Sequence, residues 1–118
     1  MQNILPDLKI CQEEKGIIKE SKFSFVKFPS GEICIMETNL HIAFNLCPAP
    51  LTDEILKVLP QQFGGSDLEI VKLPHDIYSC GYPRDIMGRG INYVQDKKLS
   101  NALFLLAIKL VDEGIIKL

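Results

Sequence analysis

The chain has 118 residues, 47% of them hydrophobic and 24% charged, with a formal net charge of −2. That length gives one globular domain, able to bury roughly two thirds of its unfolded surface without a disulfide staple. A charge so near zero supplies no long-range field to recruit nucleic acid or an anionic membrane, and no apolar run reaches the roughly 20 residues of a membrane span. The N-terminal MQNILPDLKICQEEKG has no basic segment followed by an apolar one. The four cysteines, Cys11, Cys34, Cys47 and Cys80, are widely spaced. Together these features predict a soluble cytoplasmic protein with reduced thiols.

In chain order, residues 4–15 read as a short helix: Ile4, Leu8 and Cys11 share a face, Pro6 falls in the first turn and Gly16 follows the end. The period then becomes extended. Residues 17–28 and 32–37 flank the turn cluster Pro29-Ser30-Gly31 and predict a β-hairpin. Ile33, Cys34, Ile35 and Met36 are all apolar, the pattern of a strand covered on both faces and hence central in its sheet. Leu40, Ile42, Phe44 and Leu46 alternate with His41, Ala43 and Asn45, which predicts a third strand of a meander.

Cys47-Pro48-Ala49-Pro50 breaks that strand, and a compact helix over 52–59 follows, with Thr52 as N-cap, acidic Asp53 and Glu54 in its first turn and Pro60 as its stop. Residues 61–66, containing Gly64-Gly65, read as a flexible loop. Residues 67–73 and 76–82 form a second strand pair around Pro74-His75, and 91–95 a last strand.

The last stretch, 96–118, carries most of the apolar residues. It reads as one amphipathic helix with Asp96 or Ser100 as N-cap and Gly114 as the left-handed residue of a Schellman turn that folds Ile115 back toward Leu110. Leu103, Phe104, Leu106, Ala107, Ile108, Leu110 and Val111 fall within an arc of roughly 200°. Asn101, Lys109, Asp112 and Glu113 fill the remainder, and Leu105 points into that polar sector. The predicted class is α+β: an antiparallel sheet of about five strands, the C-terminal helix across one face and two short helices at its ends.

The Ala49-Pro50 step, the helix ending Val58-Leu59-Pro60, the strand pair and the final NALFLLAIKLVDEGII together resemble small uncharacterised proteins encoded in bacterial phages, prophages and related mobile elements. The resemblance spans residues 47–116, implies a cytoplasmic setting in a bacterial host and brings no activity with it.

Four chemistries have candidate residues in this chain. His41 with Cys47 and His75 with Cys80 are metal-ligating types, but their gaps of six and five residues across Pro-containing segments do not match the close ligand pairs of structural zinc, and no metal or cofactor is expected. Cys80 near His75 and Asp76 is the one local version of an activated thiol, yet a spacing of five along a strand turns the two side chains to opposite faces. Asp76 and Asp85 make no convincing acid–base pair. The loop GYPRDIMGRG over 81–90 holds both arginines, Arg84 and Arg89, among Gly88 and Gly90, where backbone N–H groups and guanidinium forks suit a small anion or nucleotide, with Tyr82, Tyr78 and Tyr93 as a rim. The leading expectation is a non-enzymatic interaction protein that binds a host protein or itself, with Leu105 in a homodimer contact; the alternative is an anion-binding protein using loop 81–90.

Overall fold

The computed structural model describes residues 5–13, 16–18, 21–38, 44–83 and 91–117. The first helix is a single turn, α1 (Leu8–Cys11). It is shorter than the sequence predicts because Asp7, at its N-cap with extended backbone, makes no side-chain cap hydrogen bond and spends its carboxylate on the C-terminal helix instead.

The hairpin forms as expected from β1 (Phe23–Lys27) and β2 (Ile33–Glu37), closed where Phe28 N–H donates to Glu32 O and Gly31 takes a φ of 92°. The meander does not. Strand β3 (Phe44–Pro48) pairs with the far side of β1, giving the order β2-β1-β3, so β1 is central and β2 is an edge. Burial follows this order: Ser24, Phe25 and Val26 of β1 are buried, whereas β2 is half-buried in its middle and exposed at both ends. The chain leaves β2 on the β1 side. Thr38 donates its N–H to Lys22 O and its hydroxyl to Ser21 O, which leaves the outer edge of β2 unvisited among the described residues. Residues 40–43 of the expected third strand, including His41, lie outside the described residues.

Helix α2 (Thr52–Val58) forms where expected, but Leu51 in place of Thr52 is its N-cap, and the Leu51 N–H donates to the Glu54 carboxylate at 2.7 Å. The stretch expected to be a loop is a tight hairpin of β4 (Gln62–Phe63) and β5 (Ser66–Asp67), because Gly64 and Gly65 both adopt positive φ, 63° and 84°, as a two-residue type I′ connection requires. A third sheet of order β6-β7-β8 joins β6 (Glu69–Leu73), β7 (Ile77–Tyr82) and β8 (Ile91–Asp96). A 3₁₀ turn over Pro74–Asp76 connects its first pair, with His75 and Asp76 in the left-handed region. The fold is α+β as expected, with three small antiparallel sheets among the described residues in place of one sheet of about five strands.

Helix α3 (Leu99–Asp112) packs on β7 and β8, with α1 and α2 against it. Its end is the expected Schellman turn: Gly114 has φ 75°, Ile115 N–H donates to Leu110 O at 2.8 Å and Gly114 N–H to Val111 O at 3.0 Å. Its start differs. Asp96 closes β8, Lys98 is the N-cap and Ser100 is buried in the first turn. Leu103, Phe104, Leu106 and Leu110 are fully buried and join Leu5, Ile55 and Tyr82 in the core. The wide apolar arc is thus covered by the chain's own β7, β8, α1 and α2.

Candidate functional site

Of the anion site expected in loop 81–90, Arg84, Gly88, Arg89 and Gly90 lie outside the described residues. Tyr82 does not stand at a rim. It is 0% exposed, its hydroxyl donates to Pro60 O, and the Phe63 ring meets it edge-on with centroids 6.0 Å apart. Burial pushes its phenol from 10.0 up to about 12, with the neighbouring Cys80 adding to the effect. Strand β7 places Tyr82 in the core because its last four residues, Ser79 to Tyr82, run beneath α3 and are all buried.

Cys80 shares that interior. Desolvation lifts its thiol from 9.0 to about 12, so it is a neutral packing group at ordinary pH and no nucleophile. His75, on the exposed 3₁₀ turn, stands outside the core in which Cys80 is buried. Among the described residues no three His, Cys, Asp or Glu side chains gather as metal ligands. Leu105, the expected contact residue, is half-buried beside Lys109 and Asp112 on the least covered stripe of α3.

The structure brings together a set of residues the sequence did not single out. Asn101, 2% exposed, accepts the Asp7 backbone N–H at 2.8 Å and donates to the Asp7 carboxylate at 2.9 Å and to Asp96 at 3.1 Å. Lys98 donates to the other Asp7 oxygen at 2.8 Å, and its backbone N–H to Asp96 at 2.9 Å. The Lys98 hydrogen bond and then the Asn101 amide hold the Asp7 carboxyl below its ordinary 3.8, against a smaller opposing desolvation. The signal available in sequence was a lone Asn on the first turn of an otherwise apolar helix.

Two depressions meet at this cluster. A cleft of about 500 Å³ has Asp7, Asp96, Lys98 and Asn101 in its wall together with Ile77 and Gln95. A groove of about 260 Å³ lies on the other side, lined by Pro6, Leu8, Phe25, Ile33 and Ile35, with Asp7 and Lys98 common to both. Asp7, Asp96, Lys98 and Asn101 in the first are bonded to one another and tie the N-terminal segment to α3. The second has a mixed lining, apolar side chains of β1, β2 and the N-terminal segment with the charged Asp7 and Lys98, and the outer edge of β2 has no strand against it among the described residues. Ile33 in that wall is 41% exposed. No helix among the described residues is long and apolar enough to cross a membrane. Comparison with protein-family models, curated proteins and solved structures finds no match for this chain.

Proposed function

We propose that this protein acts by binding another polypeptide, without catalysis, and that β2 and the groove beside it are the contact. What supports the reading is one juxtaposition: an edge strand written Ile33-Cys34-Ile35-Met36 contributes Ile33 and Ile35 to a groove that also has Phe25, Leu8 and Lys98 in its wall. An extended segment laid along β2 would gain main-chain hydrogen bonds from the strand and a seat for alternate side chains from the groove. The resemblance to phage-encoded proteins points to a bacterial host protein or a second copy of the chain as the occupant.

The test is affinity capture from bacterial lysate with the wild type and with Ile33→Glu, which puts a charge into the groove wall at an exposed position. A protein held by the wild type and released by the variant supports the reading. Equal retention by both would move the contact away from β2.

A further inference from the structure

We infer that the occupant of the β2 edge is the same strand of a second copy, paired antiparallel about a twofold axis at Ile35. The inference rests on the binding role proposed for that edge and narrows it to one partner.

The first ground is a mismatch between what β2 is made of and where it lies. Four consecutive apolar residues suit a strand covered on both faces and central in its sheet, yet among the described residues β1 alone pairs with it. Natural edge strands are guarded by charge, proline, bulges or brevity. Strand β3 ends in Pro48 and its ladder with β1 shifts register between Phe25 and Val26. Strand β6 carries Glu69 and Lys72 within it, the β7–β8 ladder has an irregularity, and β4 and β5 have two residues each. The β1–β2 ladder runs unbroken from Phe23↔Glu37 to Lys27↔Ile33, with no charge between Ile33 and Met36.

The second ground is register. Phe28 N–H donates to Glu32 O and Thr38 N–H to Lys22 O, each at 2.9 Å, in line with that ladder. Alternation then turns the backbone groups of Cys34 and Met36 toward β1 and those of Ile33, Ile35 and Glu37 outward. A twofold axis at Ile35 matches outward residues only with outward residues: Ile35 meets the partner's Ile35, and Ile33 meets the partner's Glu37. Each both donates and accepts, so the free row is satisfied in full.

Charge agrees with this register. The exposed Glu37 of one copy comes opposite Ile33 of the other, on the groove face. There Lys27 of β1 stands directly opposite Ile33, and Lys98 lines the groove. The partner's Glu37 thus comes onto the face that holds Lys27, one strand further in, and Lys98, which also bonds Asp7.

The experiment is light scattering on the full chain from micromolar to submillimolar concentration, with circular dichroism to verify each variant's fold. The wild type is expected at twice the chain mass. Ile33→Glu, which sets like charges opposite each other at both ends, is expected to run as a folded monomer, and Ile33→Glu/Glu37→Lys, which restores opposite charges in the Ile35-centred register, as a dimer again. A wild type monomeric throughout overturns the inference; if it still captures a protein that Ile33→Glu releases, the binding reading stands and only the second copy is rejected. A dimer indifferent to Ile33→Glu, or a monomer that the second substitution does not restore, rejects this pairing.

Discussion

Asn101 and Asp7 hold each other in both directions across the chain: the Asp7 N–H donates to Asn101 Oδ1 at 2.8 Å and Asn101 Nδ2 donates to Asp7 Oδ2 at 2.9 Å. The contact closes a span of 94 residues and fixes the segment before α1 to the first turn of α3. Asn101→Leu would strand the Asp7 N–H and remove a donor from two carboxylates, for a loss of about 2–4 kcal/mol in a urea melt. Asn101→Asp keeps an acceptor for the N–H but sets a third carboxylate against Asp7 and Asp96. It should be at least as damaging at neutral pH and partly recover in acid.

The same pair sets an acid dependence. Asp7 is held below its ordinary 3.8 in the folded chain, chiefly by Lys98 and then by Asn101, so the unfolded chain binds its proton first as pH falls. Its contribution is complete above that value and is lost as pH drops below it. The stability gap between wild type and Asp7→Asn should therefore be constant above about pH 5 and narrow steadily beneath 3.8. A gap that does not change with pH would separate the Asp7 carboxylate from stability.

At the other end of the scale the sign reverses. Burial holds Cys80 and Tyr82 protonated to about 12, whereas the unfolded chain releases those protons from 9.0 and 10.0. Stability is fully present below 9.0 and falls as pH rises toward 12. Cys80→Ala should cost stability at neutral pH through the cavity it leaves, yet show a shallower decline above pH 9.0 than the wild type, read from melts across that range.

What could be read from the sequence was what is local. Gly114 and the apolar period announced the Schellman end of α3, and Pro29-Ser30-Gly31 announced the β1–β2 hairpin, because caps and turns are set by adjacent residues. Strand order is a long-range matter. Nothing in Ile33–Met36 says that β3 will choose the far side of β1, so an edge strand read as a central one. The Asn101–Asp7 cluster was hidden for the same reason: the period placed Asn101 in a polar sector, and only the return of residues 5–7 to α3 buries it. Gly64-Gly65 was a missed local signal, since paired positive φ marks a type I′ hairpin as readily as a flexible loop.

The covering of α3 within one chain gives the last prediction. Leu106 and Leu110 are 0% exposed on the apolar face of α3, which packs against β7, β8 and α2, so Leu106→Ala or Leu110→Ala should cost about 2–5 kcal/mol by denaturant melt. Leu105 is different. It is half-buried on the stripe shared with Lys109 and Asp112, so Leu105→Glu should cost no more than about 1.5 kcal/mol, within the range of ordinary partly exposed substitutions. Because β2 carries the proposed contact, Leu105→Glu should also leave the particle mass in solution unchanged where Ile33→Glu halves it. A mass halved by Leu105→Glu with the fold intact would return the interface to α3, since a charge is tolerated on a solvated stripe and costly inside a subunit contact.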